Sequence, residues 1–327
     1  MKNGDLMNIE KFEKSQIKLK DKFENVKSDY FLQKLFNNLT KKKSLNIIKY
    51  NKNIKNRMNI STKDYKEYLE IYSYIEIEIK PEKNKYGNFI NIKNEEQIYY
   101  HVYFNNNNNE EIKRNHINKD EEVNTIKIII DYKVKSFKKL FCDCVCIESI
   151  NFKKFYRINI IDMSYMFSGC ESLIYLNINN LNTNNVANMK SMFFGCKALK
   201  EINLNNFITN NVADMSNMFN RCSSLNELNL NNFNTNNVTN MSVMFSECAS
   251  LKELNLSYFN TNNVNDMNYM FSGCEALKKL DLNNFDTYNV TNMSGMFNRC
   301  SSLIELNLNN FNNNNVTNLS SMFFECS

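Results

Sequence analysis

Asn188-Met189-Lys190-Ser191-Met192-Phe193-Phe194-Gly195-Cys196-Lys197-Ala198-Leu199-Lys200-Glu201-Ile202-Asn203-Leu204-Asn205-Asn206-Phe207, closed by a Thr/Asn-rich turn ending in Val212, is one unit of a repeat that returns every 26 residues without insertion or deletion. Its clearest mark is a cysteine, which keeps that interval at Cys170, Cys196, Cys222, Cys248, Cys274, Cys300 and Cys326. A fixed period of about 20–50 residues is the signature of a repeat architecture, in which each unit buries its apolar side only against its neighbours.

The same register carries whole apolar columns. Phe167, Phe193, Phe219, Phe245, Phe271, Phe297 and Phe323 form one, Leu173 to Leu303 a second, and Val186 to Val316 a third. Stepping back one period from the first clean unit lands on Val134, Phe137, Leu140, Phe141, Cys144, Ile147, Ile150, Phe152 and Phe155, all apolar or Cys, so a divergent first coil begins near residue 133.

Two spacings alternate inside a unit. Leu225-x-x-Leu228-x-Leu230 ends on strand spacing, with Glu227, Asn229 and Asn231 turned outward. Met215-x-x-Met218-Phe219-x-x-Cys222 has the spacing of one face of a short helix. The residue before each such segment is Asn or Asp (Asp162, Asn188, Asp214, Asn240, Asp266, Asn292, Asn318), which reads as a helix N-cap. The sequence therefore predicts an α/β solenoid: 26-residue coils with a parallel sheet on one side and short capped helices on the other, preceded by a small α+β region.

Phe-x-x-Cys-x-x-Leu-x-x-Leu-x-Leu joined to Asn-Val-x-Asn/Asp-Met-Ser-x-Met-Phe resembles the BspA-like leucine-rich repeat, the 26-residue "surface protein" repeat of bacteria and protists, over residues 133–327. That resemblance implies a right-handed coil, adhesion or protein binding, and in many members a surface location. The chain departs from ordinary leucine-rich repeats where their inward Asn is replaced by Phe207, Phe233, Phe259, Phe285 and Phe311; an asparagine ladder must come from turn positions such as Asn211, Asn237, Asn263 and Asn289.

Three regions are expected: a basic helical segment 1–72, a small β-rich capping region 73–132 and the repeats 133–327. Residues 1–60 carry 15 Lys and Arg against 6 Asp and Glu, net +9, whereas residues 160–327 carry 8 against 13, net −5. A basic head on an acidic array could contact nucleic acid or an anionic membrane; a solvated Lys-rich face is the reading adopted, so nucleic acid is not expected as a partner. Helix is expected over residues 28–60, with Ser61 capping a further helix, and alternation marks strands at 75–79, 89–92, 99–104 and 126–130. The segment Tyr30–Met58 is faintly similar to an F-box but lacks the leading Leu-Pro, and a structural cap is preferred.

No apolar h-region opens the chain and no run of 18 apolar residues exists, so neither a signal peptide nor a transmembrane helix is expected. The sequence leaves the location open: it favours a cytoplasmic one with free thiols, whereas the resemblance implies the cell surface. The cysteine column reads as a structural spine, with disulfides or a metal as lesser alternatives. Cys142-x-Cys144-x-Cys146 is more unusual: Cys144 belongs to the spine, which leaves its neighbours facing out with a redox or metal role open. His101 and His116 have no nucleophile or ligand set nearby, and no Gly-rich phosphate loop, HExxH or paired catalytic carboxylate is present. No enzyme activity, cofactor or small-molecule substrate is expected.

What remains is surface. Outward rows on the strand side hold Glu201, Glu227, Glu253, Lys279 and Glu305, then Asn203, Asn229, Asn255, Asp281 and Asn307, then Asn205, Asn231 and Asn283. Regular rows of this kind form the binding surface of many repeat proteins, and the acidic row suits a basic protein partner. The alternative is an intracellular adaptor, its F-box-like helices recruiting machinery while the repeats select the client. The sequence stops at Ser327, halfway through a unit, which we read as a fragment of a longer frame or as an uncapped end that self-associates.

Overall fold

The computed structural model describes residues 27–28, 32, 34, 36, 52–58, 63, 70, 73–131 and 133–326. The chain divides into two compact units, Met1–Ser73 with Asn108–Glu110, and Tyr74–Asn107 with Glu111–Ser327. In the first, helix α1 spans Lys52–Arg57, and Leu32, Phe36 and Ile54 are buried. Most of the helical segment expected over 28–60, the cap at Ser61 and the F-box-like stretch fall outside the described residues.

The second unit begins with alternating sequence that folds as read. In β1 (Ile75–Pro81) the three isoleucines are buried, while Glu78 reaches Lys153 at 3.0 Å. Further strands are β2 (Gly87–Asn88), β3 (Tyr100–Phe104), β4 (His116–Ile117), β5 (Ile126–Ile130) and β6 (Ile147–Lys154). The repeat adds β7 (Tyr175–Asn177), β8 (Lys279–Asp281) and β9 (Glu305–Asn307). One sheet runs β3-β5-β1-β6-β7. It is antiparallel as far as β6 and parallel from β6 to β7, so the head sheet passes directly into the first coil. Phe89–Ile92, expected as a strand, is not one.

The expected helix side of the repeat is overturned: among residues 133–326 none is helical, and the only helix in 73–131 is a 3-10 turn at Asn94–Tyr99. The reason lies in the backbone. Two residues per coil, four apart, sit in the left-handed region, as in Tyr165 and Gly169, Ser191 and Gly195, Asn217 and Arg221. Such residues end a right-handed helix before its i→i−4 bonds form. The amides then divide. Met192, Phe194 and Cys196 donate three residues back, to Met189, Ser191 and Phe193, at 3.2 Å each. Ser191, Phe193 and Gly195 donate instead to Ser216, Met218 and Asn220 of the next coil, at 2.9, 2.9 and 2.8 Å. The Asn and Asp read as N-caps do accept a backbone amide, as in Lys190 N to Asn188 Oδ1 at 3.0 Å, but they open a turn and not a helix. They also bridge in parallel from Ser136 and Asp162 through to Asn318.

The expected continuous parallel sheet is overturned as well. Only β6–β7 and β8–β9 pair, three residues each, and the segments 199–204, 225–230 and 251–256 carry no strand. On the strand side the unpaired segments are joined by single bonds, such as Asn226 N to the Lys200 carbonyl at 3.0 Å. The Asn205 amide turns to Asn203 Oδ1 of its own coil at 3.0 Å, a local side-chain bond that competes with a sheet ladder. An α/β solenoid is therefore the wrong description: the repeat is a column of hydrogen-bonded turns with short, separate strand pairs.

Inside the column each apolar position stacks on its copy. Phe141 through Phe323 form a continuous file with centroids 5.4–5.8 Å apart, and the Met, Leu and Val columns are buried around it. Thr183, Thr209, Thr235 and Thr287 are buried and bonded both ways across a coil boundary, as where Thr209 Oγ1 donates to the Asn234 carbonyl at 2.9 Å and accepts the Asn234 amide at 2.8 Å, and buried Thr261 donates to the Asp286 carbonyl at 2.8 Å. The asparagine ladder runs at the turn positions: Asn211, Asn237, Asn263 and Asn289 each donate to a carbonyl of the preceding coil at 2.6–2.9 Å. At the head end Asn91 stands in for a missing coil. Its amide donates to the Leu140 carbonyl at 2.7 Å and its Nδ2 to the Cys142 carbonyl at 2.6 Å.

Val243 occupies a left-handed position, φ 59°, that Asn217 fills one coil earlier. A left-handed conformation costs a β-branched residue about 1–2 kcal/mol, and Asn tolerates it better. Val243→Asn should therefore raise the unfolding free energy by about 1 kcal/mol in urea titration; a lowered midpoint contradicts the assignment.

Candidate functional site

The outward rows lie where the sequence places them. Glu201, Asn203, Asn205, Glu227, Asn229, Asn231, Glu253, Asn255, Lys279, Asp281, Asn283 and Glu305 are exposed, and Asn307 is half-buried. Their freedom to meet a partner differs sharply. In the middle row the side-chain oxygen of Asn203, Asn229, Asn255, Asp281 and Asn307 already accepts the amide two residues on, at 3.0–3.2 Å. That row holds the turn after the strand segment before it can recognise anything. In the acidic row Lys279 Nζ meets Glu305 Oε1 at 2.6 Å, so these two charges cancel at the far end. Glu201, Glu227 and Glu253 form no ion pair among the described residues, and they occupy three successive coils.

Beside β7 and the next two coils lies a shallow cleft of about 360 Å³. It gathers Glu201, Asn203, Asn205, Glu227 and Asn229 from the predicted rows. Asn231, Glu253, Asn255, Lys279, Asp281, Asn283, Glu305 and Asn307 lie outside it. The cleft also takes in Ile174, Tyr175, Asn177 and Asn179, which the rows omitted. One period back from Glu201, Asn203 and Asn205 falls on Tyr175, Asn177 and Asn179, so the repeat itself carried that signal. Ile174 and Tyr175 are 52 % and 55 % exposed, large enough to add an apolar contact beside the two carboxylates.

On the opposite side the cysteine column is a hydrogen-bond spine. Cys196 Sγ donates to the Phe167 carbonyl at 3.2 Å, Cys222 to Phe193 at 3.1 Å, and the same step repeats from Cys170 to Cys326. Burial raises the pKa of the thiols from Cys170 to Cys300, to about 12 for both Cys222 and Cys300. All ten cysteines are free. The expectation that both neighbours of Cys144 face outward is corrected for Cys146, which is fully buried and donates to the Asn88 carbonyl at 3.2 Å because that edge packs under β2. Cys142 is half-buried and donates to Asp143 at 3.3 Å. His101 Nδ1 contacts Glu111 at 2.9 Å. Among the described residues no three His, Cys, Asp or Glu side chains are grouped as a metal would require, and no helix is long and apolar enough to cross a membrane.

A family model described as "Mycoplasma protein of unknown function, DUF285" matches residues 135–253 and again 226–327. No curated protein matches the chain.

The spine has a consequence in alkali. An acid whose pKa is raised on folding keeps its proton in the folded state while the unfolded chain releases it, so stability falls as pH rises above the ordinary thiol value of 9.0. For Cys222 the loss extends to about pH 12, at about 1.4 kcal/mol per pH unit. Stability measured from pH 9 to 10.5 should therefore fall less steeply in Cys222→Ala than in the parent, by about that amount; parallel slopes would remove the spine from the account.

Proposed function

We propose a non-enzymatic binding role for this chain, which belongs to the DUF285 family, with the outward face of its repeat meeting a basic protein partner in the manner of BspA-like repeat proteins. One observation carries this reading: Glu201, Glu227 and Glu253 stand exposed on successive coils and form no ion pair among the described residues, while the acidic residue of the last strand is consumed by Lys279. Carboxylates repeated at a fixed interval steer an oppositely charged partner and set its register along the stack. The cleft beside the first two carboxylates adds exposed Ile174 and Tyr175, which gives a side chain of that partner an apolar seat. Repetition of the row from coil to coil favours an extended partner over a compact one. Adhesion at a cell surface and client selection inside a cell both use such a face; fractionation of the tagged protein separates them, since purely cytosolic protein excludes adhesion.

The test uses the full chain and a set of extended peptides carrying two or three Lys or Arg. Saturable binding that weakens with added salt is expected. Glu201→Lys combined with Glu227→Lys should weaken it at least tenfold, whereas Glu275→Lys, exposed but outside these rows, should leave it within about twofold. Equal affinity for both variants would reject this face.

A further inference from the structure

We propose that a second, basic cleft beside β3 binds a small phosphorylated anion. The cleft has a volume of about 470 Å³ and lies between Asn91–Lys93, Glu96, Tyr100 of β3, Asn115 and the Ser136–Leu140 turn of the first coil. A smaller hollow of about 230 Å³ adjoins it, sharing Ile92, Tyr100 and Asn115. Both lie within one compact unit.

Its charge is one-sided. Lys93, Lys138 and Lys139 line it against the single carboxylate of Glu96, an excess of two positive charges. Lys93 and Lys138 are exposed and form no ion pair among the described residues, and the Lys139 ammonium lies 5.6 Å from the Tyr165 ring centre. Lysines spread over a convex surface are simply hydrated. These come from two separate segments and converge on one concavity, which focuses their field.

Behind the wall stands a further cation. Arg157 is 0 % exposed, and only its Nη1 has a hydrogen bond, to the Asp131 carbonyl at 2.7 Å, leaving Nε and Nη2 without partners. It forms no ion pair among the described residues, though Asp131 and Tyr100 both lie close enough to feel its charge. A buried guanidinium acts through protein and not through water, so its field reaches the cleft less screened than that of a surface lysine. Tyr100 lines both hollows and is buried to 4 % exposure, and burial pushes its pKa up, so it stays a neutral donor. The lining thus offers ammonium groups, a phenol and the Asn115 amide over the apolar floor of Ile92 and Leu140, a few convergent polar groups on apolar walls. A group carrying two or more negative charges, as phosphate esters and diphosphates do, matches this excess better than a single carboxylate.

This site is separate from the acidic face and does not depend on it. The test is calorimetric titration of the full chain at low ionic strength with inorganic pyrophosphate, alongside sedimentation with phosphatidylcholine vesicles containing or lacking phosphatidic acid. Saturable pyrophosphate binding indicates a soluble ligand, and capture only by phosphatidic acid vesicles indicates a lipid headgroup; either supports the site if Lys93→Glu with Lys138→Glu reduces it at least tenfold. Tyr100→Phe, which keeps the ring, should weaken binding severalfold and so localises the effect to this cleft. Absence of binding to both probes, or binding unchanged in the double variant, overturns the proposal.

Discussion

Every structural feature of the repeat depends on where the turn amides go. A buried N–H must find an acceptor, and in each coil the left-handed residues divide the amides into two sets, one closing the local turn and one reaching the neighbouring coil. The second set makes each unit the hydrogen-bond partner of the next. A one-residue insertion would put every donor opposite the wrong carbonyl, which explains a period held at 26 residues through the array. It also explains why the cysteines, threonines and turn asparagines are columnar. Each reaches across a coil boundary to a fixed backbone atom, so the residue type is set by the bond it must make. The first coil has no predecessor to use its carbonyls, and Asn91 supplies the missing donors.

The register and the buried columns were legible in the sequence, including the divergent first coil, whose residues from Val134 to Phe155 are all buried where predicted. The kind of element was not. Met215-x-x-Met218-Phe219-x-x-Cys222 has helical spacing, yet two successive turns also bring those four side chains inward, and spacing alone does not distinguish them. Asn and Asp before the segment misled for a similar reason, since the same side-chain acceptor serves a helix N-cap and an Asx turn. The decisive residues hide because most left-handed positions hold Tyr, Ser, Asn, Val, Arg or Glu instead of Gly. Strand spacing in Leu-x-Leu was correct for side-chain direction but silent on whether neighbouring coils would pair.

Of the candidate surface, the rows were legible because each is a column of the repeat. Their availability was not. That Asn203 and its copies are occupied by the amide two residues on, and that Lys279 neutralises Glu305, are facts of three-dimensional contact. The basic cleft was invisible for a stronger reason: it assembles residues 91–100, 115 and 136–140, which no periodicity connects. One unit of this DUF285 protein therefore carries two different surfaces, exposed glutamate and asparagine rows built by repetition and a basic concavity built where the head sheet joins the first coil.

Hydrogen-bond scalar couplings in the isotope-labelled protein test the central claim most directly, because they report which carbonyl each amide contacts. The account predicts couplings from the amides of Ser191, Phe193 and Gly195 to the carbonyls of Ser216, Met218 and Asn220, with those of Met192, Phe194 and Cys196 coupled three residues back. Couplings from these amides to carbonyls four residues earlier would mean a helix on that side of the coil, and would contradict it.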